Sequence, residues 1–257
     1  HREAMIVADA LDNLHLVDPI FIYMDRVGIP PCMVMLENLA SGFRYSSKAE
    51  HFGYQQDCEI FAIKMAKELG VNLNIEVDTA APLTFYQGSV EATFRYVEAG
   101  FPVEPCIGIT AGAEGPATLS GSLVLGLAQV LAFVAMVQLK KPGSAISVQH
   151  ALKPMDMQRG TPNYGLPGFA LTTVVMNQLL RRYRIPSCTV LGFTSTSKKI
   201  DFQCGYEKSM GALISALTGG NLQIFHGGSG SELIYNPELS ILDDDVAGWI
   251  GRFLEGV

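Results

Sequence analysis

Short apolar runs rich in β-branched residues alternate along this chain with longer stretches of helical periodicity. Polar loops follow the apolar runs, and turn sequences such as KELGVN, EAGFPV and LTGGN separate a helical stretch from the next run. The pattern predicts strands at 15–18, 48–52, 72–77, 103–109, 145–149, 188–191 and 222–225. It predicts helices at 32–42, 55–69, 89–99, 117–139, 165–183, 202–217 and 243–254.

Repeated strand–loop–helix units predict parallel strands joined by right-handed crossovers. The seven predicted strands are one short of a closed eight-stranded (β/α) barrel. An amphipathic helical pattern already occupies residues 1–11, so a further strand is expected to precede it. We therefore predict an α/β fold with a single domain over 1–257, a TIM-type (β/α)8 barrel lacking one strand, excised from a longer protein with extensions at both ends.

The segment 117–139 contains no charged residue and is long enough to cross a bilayer. It holds polar residues such as Gln129 and Gln138, lacks aromatic belts at its ends, and falls in step with the strand–helix alternation. We expect a helix that is mostly buried, in part against another subunit or a further segment of chain. No membrane span is predicted.

Composition narrows the class of protein further. Apolar residues make up 48% of the 257 residues and charged residues only 17%, which predicts a large core. The net charge of −7 argues against nucleic acid as a partner. The five cysteines form no CxxC pair, and the chain opens on His-Arg-Glu without a signal peptide, so we expect reduced thiols and a cytoplasmic protein.

Chemistry in a barrel belongs at the carboxyl ends of the strands. The residues found there include acids, aromatic residues, histidines and the hydroxyl-rich stretch GFTSTSK, which starts at Gly192. In chain order these candidates are Asp18, Tyr23, His51, Tyr54, Glu76, Asp78, Thr110, Glu114, His150, Asp156, Arg159, Thr194, Ser195, Lys198 and His226, the last beside GGSGS.

Three kinds of site compete for these residues. The histidines are scattered without an HxH or HExxH motif, so no metal site is predicted. Lys198 could form an imine, with GGSGS holding a phosphate, as in a lyase or aldolase. Acids and aromatic side chains near the loops could instead hold an organic cation. A barrel that binds such a ligand or a partner protein without turnover is a further alternative.

Three ordered motifs carry a family resemblance: AGAEGPATLSGSLVLGLAQVLAFVAMVQLKKPG, MDMQRGTPNYGLPG, and TSKKIDFQCGYEK followed by LTGGN. Together they resemble the trimethylamine methyltransferase family, in which AGATAPVTLAG-like, DMRTGAP-like and SDAKxPDxQAGxEK-like stretches occur in this order. The resemblance implies a (β/α)8 barrel that transfers a methyl group from a methylated amine to the cobalt of a separate corrinoid protein.

The resemblance places Thr194 where the founding trimethylamine enzymes look to have pyrrolysine. Members without pyrrolysine resemble glycine betaine methyltransferases, which implies a quaternary amine as substrate here. Glu114 with Gly115, and Ile200 in place of the usual proline, depart from the family pattern in loops that can shape substrate choice.

We therefore predict a corrinoid-dependent methylamine/betaine methyltransferase that binds neither nucleic acid nor a membrane. The expected partners are a corrinoid protein that carries the cobalamin, a small quaternary amine and further copies of the chain; no cofactor-binding motif occurs in this sequence. Catalytic roles are predicted for Thr194, Lys198 and Glu207. Substrate-binding roles are predicted for Tyr54, Glu76, Asp78, Glu114, His150, Asp156, Arg159, Phe193, Gln203 and His226.

Overall fold

The computed structural model describes residues 2–17, 28–53, 57–189, 192, 194–222 and 226–256. Its helices are α1 (Arg2–Ala10), α2 (Val34–Tyr45), α3 (Cys58–Leu69), α4 (Gln87–Ala99), α5 (Leu119–Lys140), α6 (Pro167–Arg182), α7 (Phe202–Leu217) and α8 (Pro237–Glu255). Its strands are β1 (Leu16–Val17), β2 (Ala49–Phe52), β3 (Leu73–Asp78), β4 (Val103–Ala111), β5 (Val148–Asp156), β6 (Thr161–Pro162), β7 (Ser187–Thr189), β8 (Asn221–Leu222), β9 (Gly228–Ser229) and β10 (Ile234–Tyr235). The predicted site residues Asp18, Tyr23, Tyr54 and Phe193 lie outside the described residues.

A parallel sheet forms the centre of the fold. Its strands follow the order β1-β2-β3-β4-β5-β7-β8, and each neighbouring pair is parallel. The short strand β6 turns back antiparallel onto the end of β5. Each predicted strand therefore has a counterpart in the sheet, and β1 and β8 are its two ends among the described residues.

The helices pack side by side around this sheet. Each helix from α1 to α7 contacts the next one, and α8 also contacts α1. Asn13, just after α1, strengthens this last contact: its backbone N–H donates to the Asp244 carboxylate of α8 at 2.9 Å. Since the first and last helices meet, the sheet between them is curled. Within the described residues, however, no strand pairing joins β8 to β1, so the fold is a curled α/β layer whose closure into a full barrel is not seen.

Strand alternation separates an outer face from an inner face. On β3, Leu73, Ile75 and Val77 are buried in a core shared with α2, α3, α4 and α5. Successive strand side chains point to opposite faces, so the polar residues Asn74, Glu76 and Asp78 lie on the inner face, away from those helices.

The long apolar helix predicted at 117–139 is α5. By length and composition it could cross a membrane. In the fold it packs one face on β4 and β5, where Gly126 lies so close to Leu152 that an added Cβ would come within 3.1 Å of it. Its opposite face is exposed, with Val124 at 71% and Leu139 at 86%. This chain by itself therefore leaves much of the helix surface exposed, and burial of that surface by another subunit or segment stays a prediction.

Candidate active site

Two adjacent strands bring a row of polar side chains onto the inner face. Glu76 of β3 pairs in register with Glu104 of β4, and Asp78 pairs with Cys106. Alternation puts Glu104 and Cys106 on the same face as Glu76 and Asp78, because their neighbours Val103 and Ile107 are buried in the outer core. The sheet therefore concentrates acids and one thiol on this face, near the carboxyl end of β3.

His51 of β2 adds an imidazole to this row. It is 3% exposed, and its Nε2 lies 3.6 Å from a carboxylate oxygen of both Glu76 and Glu104. Glu104 is also buried and accepts a hydrogen bond from Asn74 Nδ2 at 2.6 Å. The inner part of the row is thus a buried polar network, in which Glu104 is held by β2 and β3 together.

The outer part of the row is more open. Ligand atoms of Glu76, Asp78 and Cys106 all lie within 4.8 Å of one another, and both acids keep accessible surface. Burial raises the pKa of Asp78, an effect that nearby His51 opposes. Burial, together with the negative charges of Glu76 and Asp78, also raises the pKa of the Cys106 thiol well above its ordinary value, so the thiol is protonated at neutral pH. Two carboxylates without a thiolate suit a cation, either a metal ion or an organic ammonium.

Strand β5 contributes a cation to the same face. Lys153 pairs in register with Thr110 of β4, and its charge acts on the Cys106 thiol. Its Nζ donates a hydrogen bond to the Tyr164 hydroxyl at 2.9 Å, which in turn donates to Glu232 at 3.0 Å. Lys153, Cys106, Glu104 and Glu232 were not among the predicted site residues. Glu104 and Cys106 stand two positions apart inside an apolar strand, and that spacing could have revealed them.

Residues 194–198 of the GFTSTSK stretch form a loop organised by Glu207. The Glu207 carboxylate accepts hydrogen bonds from Ser195 Oγ and from the Thr196 backbone N–H, both at 2.8 Å, and from Gln203 Nε2 at 2.8 Å. Gly165 leaves the space for it, since an added Cβ there would overlap the carboxylate. Thr194, at the start of this loop, is 3% exposed. Glu207 and Gln203 position the loop, and a direct catalytic or substrate-binding role for them stays a prediction.

The glycine-rich stretch after β8 packs against that loop. The backbone N–H of Gly230 donates to the Ser197 carbonyl at 2.7 Å, and that of Ser231 donates to the Ser195 carbonyl at 2.8 Å. The stretch is thus a β9–β10 hairpin that supports the loop, and its N–H groups at 230 and 231 are engaged by protein carbonyls. His226 at its start is buried, with Nδ1 3.2 Å from Ser240 Oγ.

A buried ion pair ties the same hairpin to the outer helices. Lys208 of α7 and Asp243 of α8 are 2% and 3% exposed, with Nζ 3.0 Å from Oδ2. Lys208 also donates to the Gly228 carbonyl, and Asp243 accepts from the Gly227 N–H at 2.8 Å. Burial lowers the pKa of Lys208 and raises that of Asp243 to about 6. The pair therefore fixes the backbone at 227–228.

Several predicted site residues lie away from the acidic row. His150 is fully buried on the outer face of β5, where its Nε2 lies 2.7 Å from Asn177 Oδ1 of α6. It cannot face a ligand on the inner face, so its predicted substrate-binding role is corrected to a structural one. The reason is strand alternation: Leu152, two residues on, is buried in the same outer core.

The other displaced residues lie at the end of β5 or in loops. Asp156 accepts hydrogen bonds from the Gln158 and Arg159 backbone N–H groups, and these contacts hold the β5–β6 turn. It also forms an ion pair with the Arg159 side chain, which is 79% exposed. Glu114 accepts from the Thr110 N–H at 2.8 Å and closes the loop after β4. Lys198 is exposed on the GFTSTSK loop. Their predicted roles stay predictions, but these contacts hold the loops themselves.

A sequence profile described as trimethylamine methyltransferase (MTTB) matches residues 58–257, which is most of the chain. The chain belongs to the trimethylamine methyltransferase family. Glycine betaine methyltransferase of Desulfitobacterium hafniense (strain Y51) is 32% identical over 181 residues, covering 70% of this chain and 38% of that protein. Trimethylamine methyltransferase MttB of Methanosarcina thermophila is 28% identical over 177 residues, covering 69% and 36%. The chain thus spans less than two fifths of the length of these family members.

Solved structures show the same fold at low identity. A dihydropteroate synthase from Coxiella burnetii superposes with a TM-score of 0.60 at 8% identity, covering all of this chain and 84% of that one. The carboxyl transferase domain of Rhizobium etli pyruvate carboxylase gives a TM-score of 0.51 at 15% identity, over 98% of this chain and 42% of that one. These likenesses support the α/β fold of this family member and carry no functional information.

Proposed function

We propose that this protein transfers a methyl group from a quaternary amine, of the glycine betaine type, to a separate corrinoid protein. Membership in the trimethylamine methyltransferase family supports methyl transfer, and the 32% identical relative is named a glycine betaine methyltransferase. The observation that carries the proposal is the acidic row on the inner face, where Glu76 and Asp78 converge beside an uncharged thiol.

The proposed reaction does not require general acid–base catalysis by the protein. The corrinoid, when bound, would supply cobalt(I) as the nucleophile that accepts the methyl group. The rest of the quaternary amine would be released as a neutral tertiary amine, which needs no proton. The protein's part is to hold the cation, exclude water and fix one methyl group toward the acceptor. Glu76 and Asp78 supply negative charge for holding the ammonium group, and Thr194 is expected to lie near its methyl groups.

Thr194 favours a quaternary substrate over trimethylamine. Family resemblance puts pyrrolysine, a group able to capture a tertiary amine, at this position in the founding trimethylamine enzymes. Threonine offers one hydroxyl and no electrophile. Loss of a methyl group from neutral trimethylamine would also have to release an amide anion, which is a poor leaving group. A permanent positive charge on the substrate removes both difficulties.

We also infer the setting in which this reaction takes place. An eighth strand between β1 and β8, supplied outside this sequence, would complete the (β/α)8 barrel, as the closed ring of helices suggests. The corrinoid protein would bring its cobalamin to the carboxyl ends of the strands. The protein is proposed to work in the cytoplasm as a homo-oligomer, with the exposed face of α5 covered by another subunit or segment.

Variants of the acidic row test this proposal. Asp78→Asn and Glu76→Gln in the full-length protein keep side-chain size and remove the charge. Each should raise KM for the quaternary amine roughly 10-fold or more, from the loss of one charge-assisted contact. Glu68→Gln, an exposed residue at the end of α3, is the matched control. Unchanged KM in both inner-face variants would show that the cation is held elsewhere.

A further inference from the structure

The inner face has a charge asymmetry that runs across β3, β4 and β5. Glu76 and Asp78 are on β3, the Cys106 thiol is on β4, and Lys153 is on β5. The thiol is influenced by all three charges: the two acids raise its pKa and Lys153 lowers it. Because β4 lies between β3 and β5, the acids and the lysine lie on opposite sides of Cys106, with Lys153 in register with Thr110, four residues further along β4. The inner face therefore has a negative end and a positive end.

The half-buried Lys153 ammonium group is held by one neutral residue, since its Nζ lies 4.7 Å from the centre of the Tyr164 ring. Among the described residues, no carboxylate forms an ion pair with it, and its Nζ makes one hydrogen bond, to the Tyr164 hydroxyl. An ammonium group has three N–H donors, so two remain for a ligand. Tyr164 is 5% exposed and donates to Glu232, which fixes the hydroxyl and with it the position of Nζ. A lysine held in place with donors to spare suits an anionic ligand group.

The other basic residues with predicted substrate-binding roles are placed differently. His150 lies on the outer face against Asn177, and Arg159 is exposed and paired with Asp156. His226 is buried, with Ser240 and the Tyr235 ring against it. Among the strand residues that the structure describes, Lys153 is the one lysine or arginine of the sheet, two strands away from Glu76 and Asp78.

We propose that Lys153 binds the carboxylate of the substrate, so that the protein selects a zwitterionic betaine over quaternary amines that lack an acid group. The inference rests on the proposed function. Glu76 and Asp78 attract the ammonium end, and Lys153 attracts the carboxylate end of the same molecule. The two ends together fix its orientation, which directs the N-methyl groups away from Lys153. Choline, which has a hydroxyl in place of the carboxylate, gains nothing from the lysine.

Binding measured by isothermal titration calorimetry tests this selection. Full-length wild-type protein is titrated with glycine betaine, choline and tetramethylammonium, and the same is done with Lys153→Gln. Lys153→Gln should weaken glycine betaine binding roughly 10- to 100-fold, the range for loss of one charged hydrogen bond. Binding of choline and tetramethylammonium should change less than about twofold, since the lysine contacts neither of them. Lys153→Arg should keep the preference for betaine, and Lys153→Glu should reverse it.

Lys67→Gln provides the control, because Lys67 is exposed on α3, on the outside of the fold. Circular dichroism of every variant checks that it is folded. Equal weakening of all three ligands by Lys153→Gln, or no weakening of betaine, would overturn the inference while leaving the proposed function intact. If the wild-type protein binds none of the three ligands, the proposed function fails and the inference fails with it.

Discussion

The ion pair between Lys208 and Asp243 should stabilise the fold only as an intact pair. The Lys208→Met variant keeps most of the aliphatic volume and removes the charge. It leaves the Asp243 carboxylate buried at 3% exposure with the Gly227 N–H as its remaining partner in the described network. The Gly228 carbonyl loses its hydrogen bond from Nζ as well. Breaking a buried pair in this way costs about 3–5 kcal/mol of unfolding free energy.

The pKa of Asp243 determines how the loss of stability in Lys208→Met should change with pH. The pKa of Asp243 is already raised to about 6 with Lys208 present, because burial outweighs the attraction of the lysine. The native state therefore binds the proton more tightly than the unfolded chain does. This contribution to stability is largest at low pH and is lost as pH rises through about 6. Without Lys208 the pKa rises further, so the defect of Lys208→Met should be larger at pH 8 than at pH 5.

Urea unfolding followed by circular dichroism measures the effect at both pH values. Lys67→Met, at an exposed position on α3, should stay within about 0.5 kcal/mol of wild type. Adding Asp243→Asn to Lys208→Met should recover much of the loss, because the amide oxygen still accepts from the Gly227 N–H without a buried charge. A Lys208→Met variant within about 1 kcal/mol of wild type at pH 8 would refute the reasoning, since a broken buried pair cannot cost so little.

Two further predictions concern His150 and Glu207. Burial lowers the pKa of His150 to about 4, so the native state favours the neutral imidazole. The stability that neutral His150 contributes is present above pH 6.5 and is lost as pH falls toward 4. By pH 4 the loss should reach about 3 kcal/mol. Urea unfolding from pH 7 to pH 4 should show a smaller decline for His150→Gln than for wild type, and parallel declines would contradict this assignment. Glu207→Ala removes the hydrogen-bond acceptor for Ser195, Thr196 and Gln203, a loss of about 1.5–3 kcal/mol of charged hydrogen bonding. Amide hydrogen exchange at 194–197 should therefore become at least about 10-fold faster. Glu238→Ala, at an exposed position on α8, should leave that exchange unchanged, and equal exchange in both variants would show that Glu207 does not hold the loop.

Most of the strands and helices could be predicted from alternation and turn sequences. Helix α7 begins and ends at the residues that periodicity predicts. Asp201 caps its first turn by accepting a hydrogen bond from the Cys204 N–H. Strand β5 continues to Asp156, well past the predicted end at 149, since its later residues pair with β4 and β6 rather than entering a loop. Helix α8 begins at Pro237, six residues before the prediction, although Asn236 followed by proline is a recognisable helix start.

The candidate site was harder to predict than the fold. Glu76 and Asp78 were found because they end a strand, whereas the inner-face position of Lys153 follows from its pairing with Thr110 of β4, which the sequence alone does not show. The hydrogen bonds that Glu207 makes to the GFTSTSK loop join residues on different elements, and no local pattern encodes them. His150 was placed at the site by its strand position alone; the face it occupies depends on register, which becomes visible only with Asn177 beside it.

Methyl transfer from a quaternary amine to cobalt is the proposed activity, and it can be measured in solution. Full-length protein is mixed anaerobically with cobalt(I) cobalamin, free or on a corrinoid protein, and with either glycine betaine or trimethylamine. We expect glycine betaine to convert cobalt(I) to methylcobalt(III), seen in the visible spectrum, with one dimethylglycine formed per methyl group transferred. Trimethylamine should give no conversion above the protein-free control. Robust cobalt methylation from trimethylamine, with none from glycine betaine or any other betaine, would contradict it.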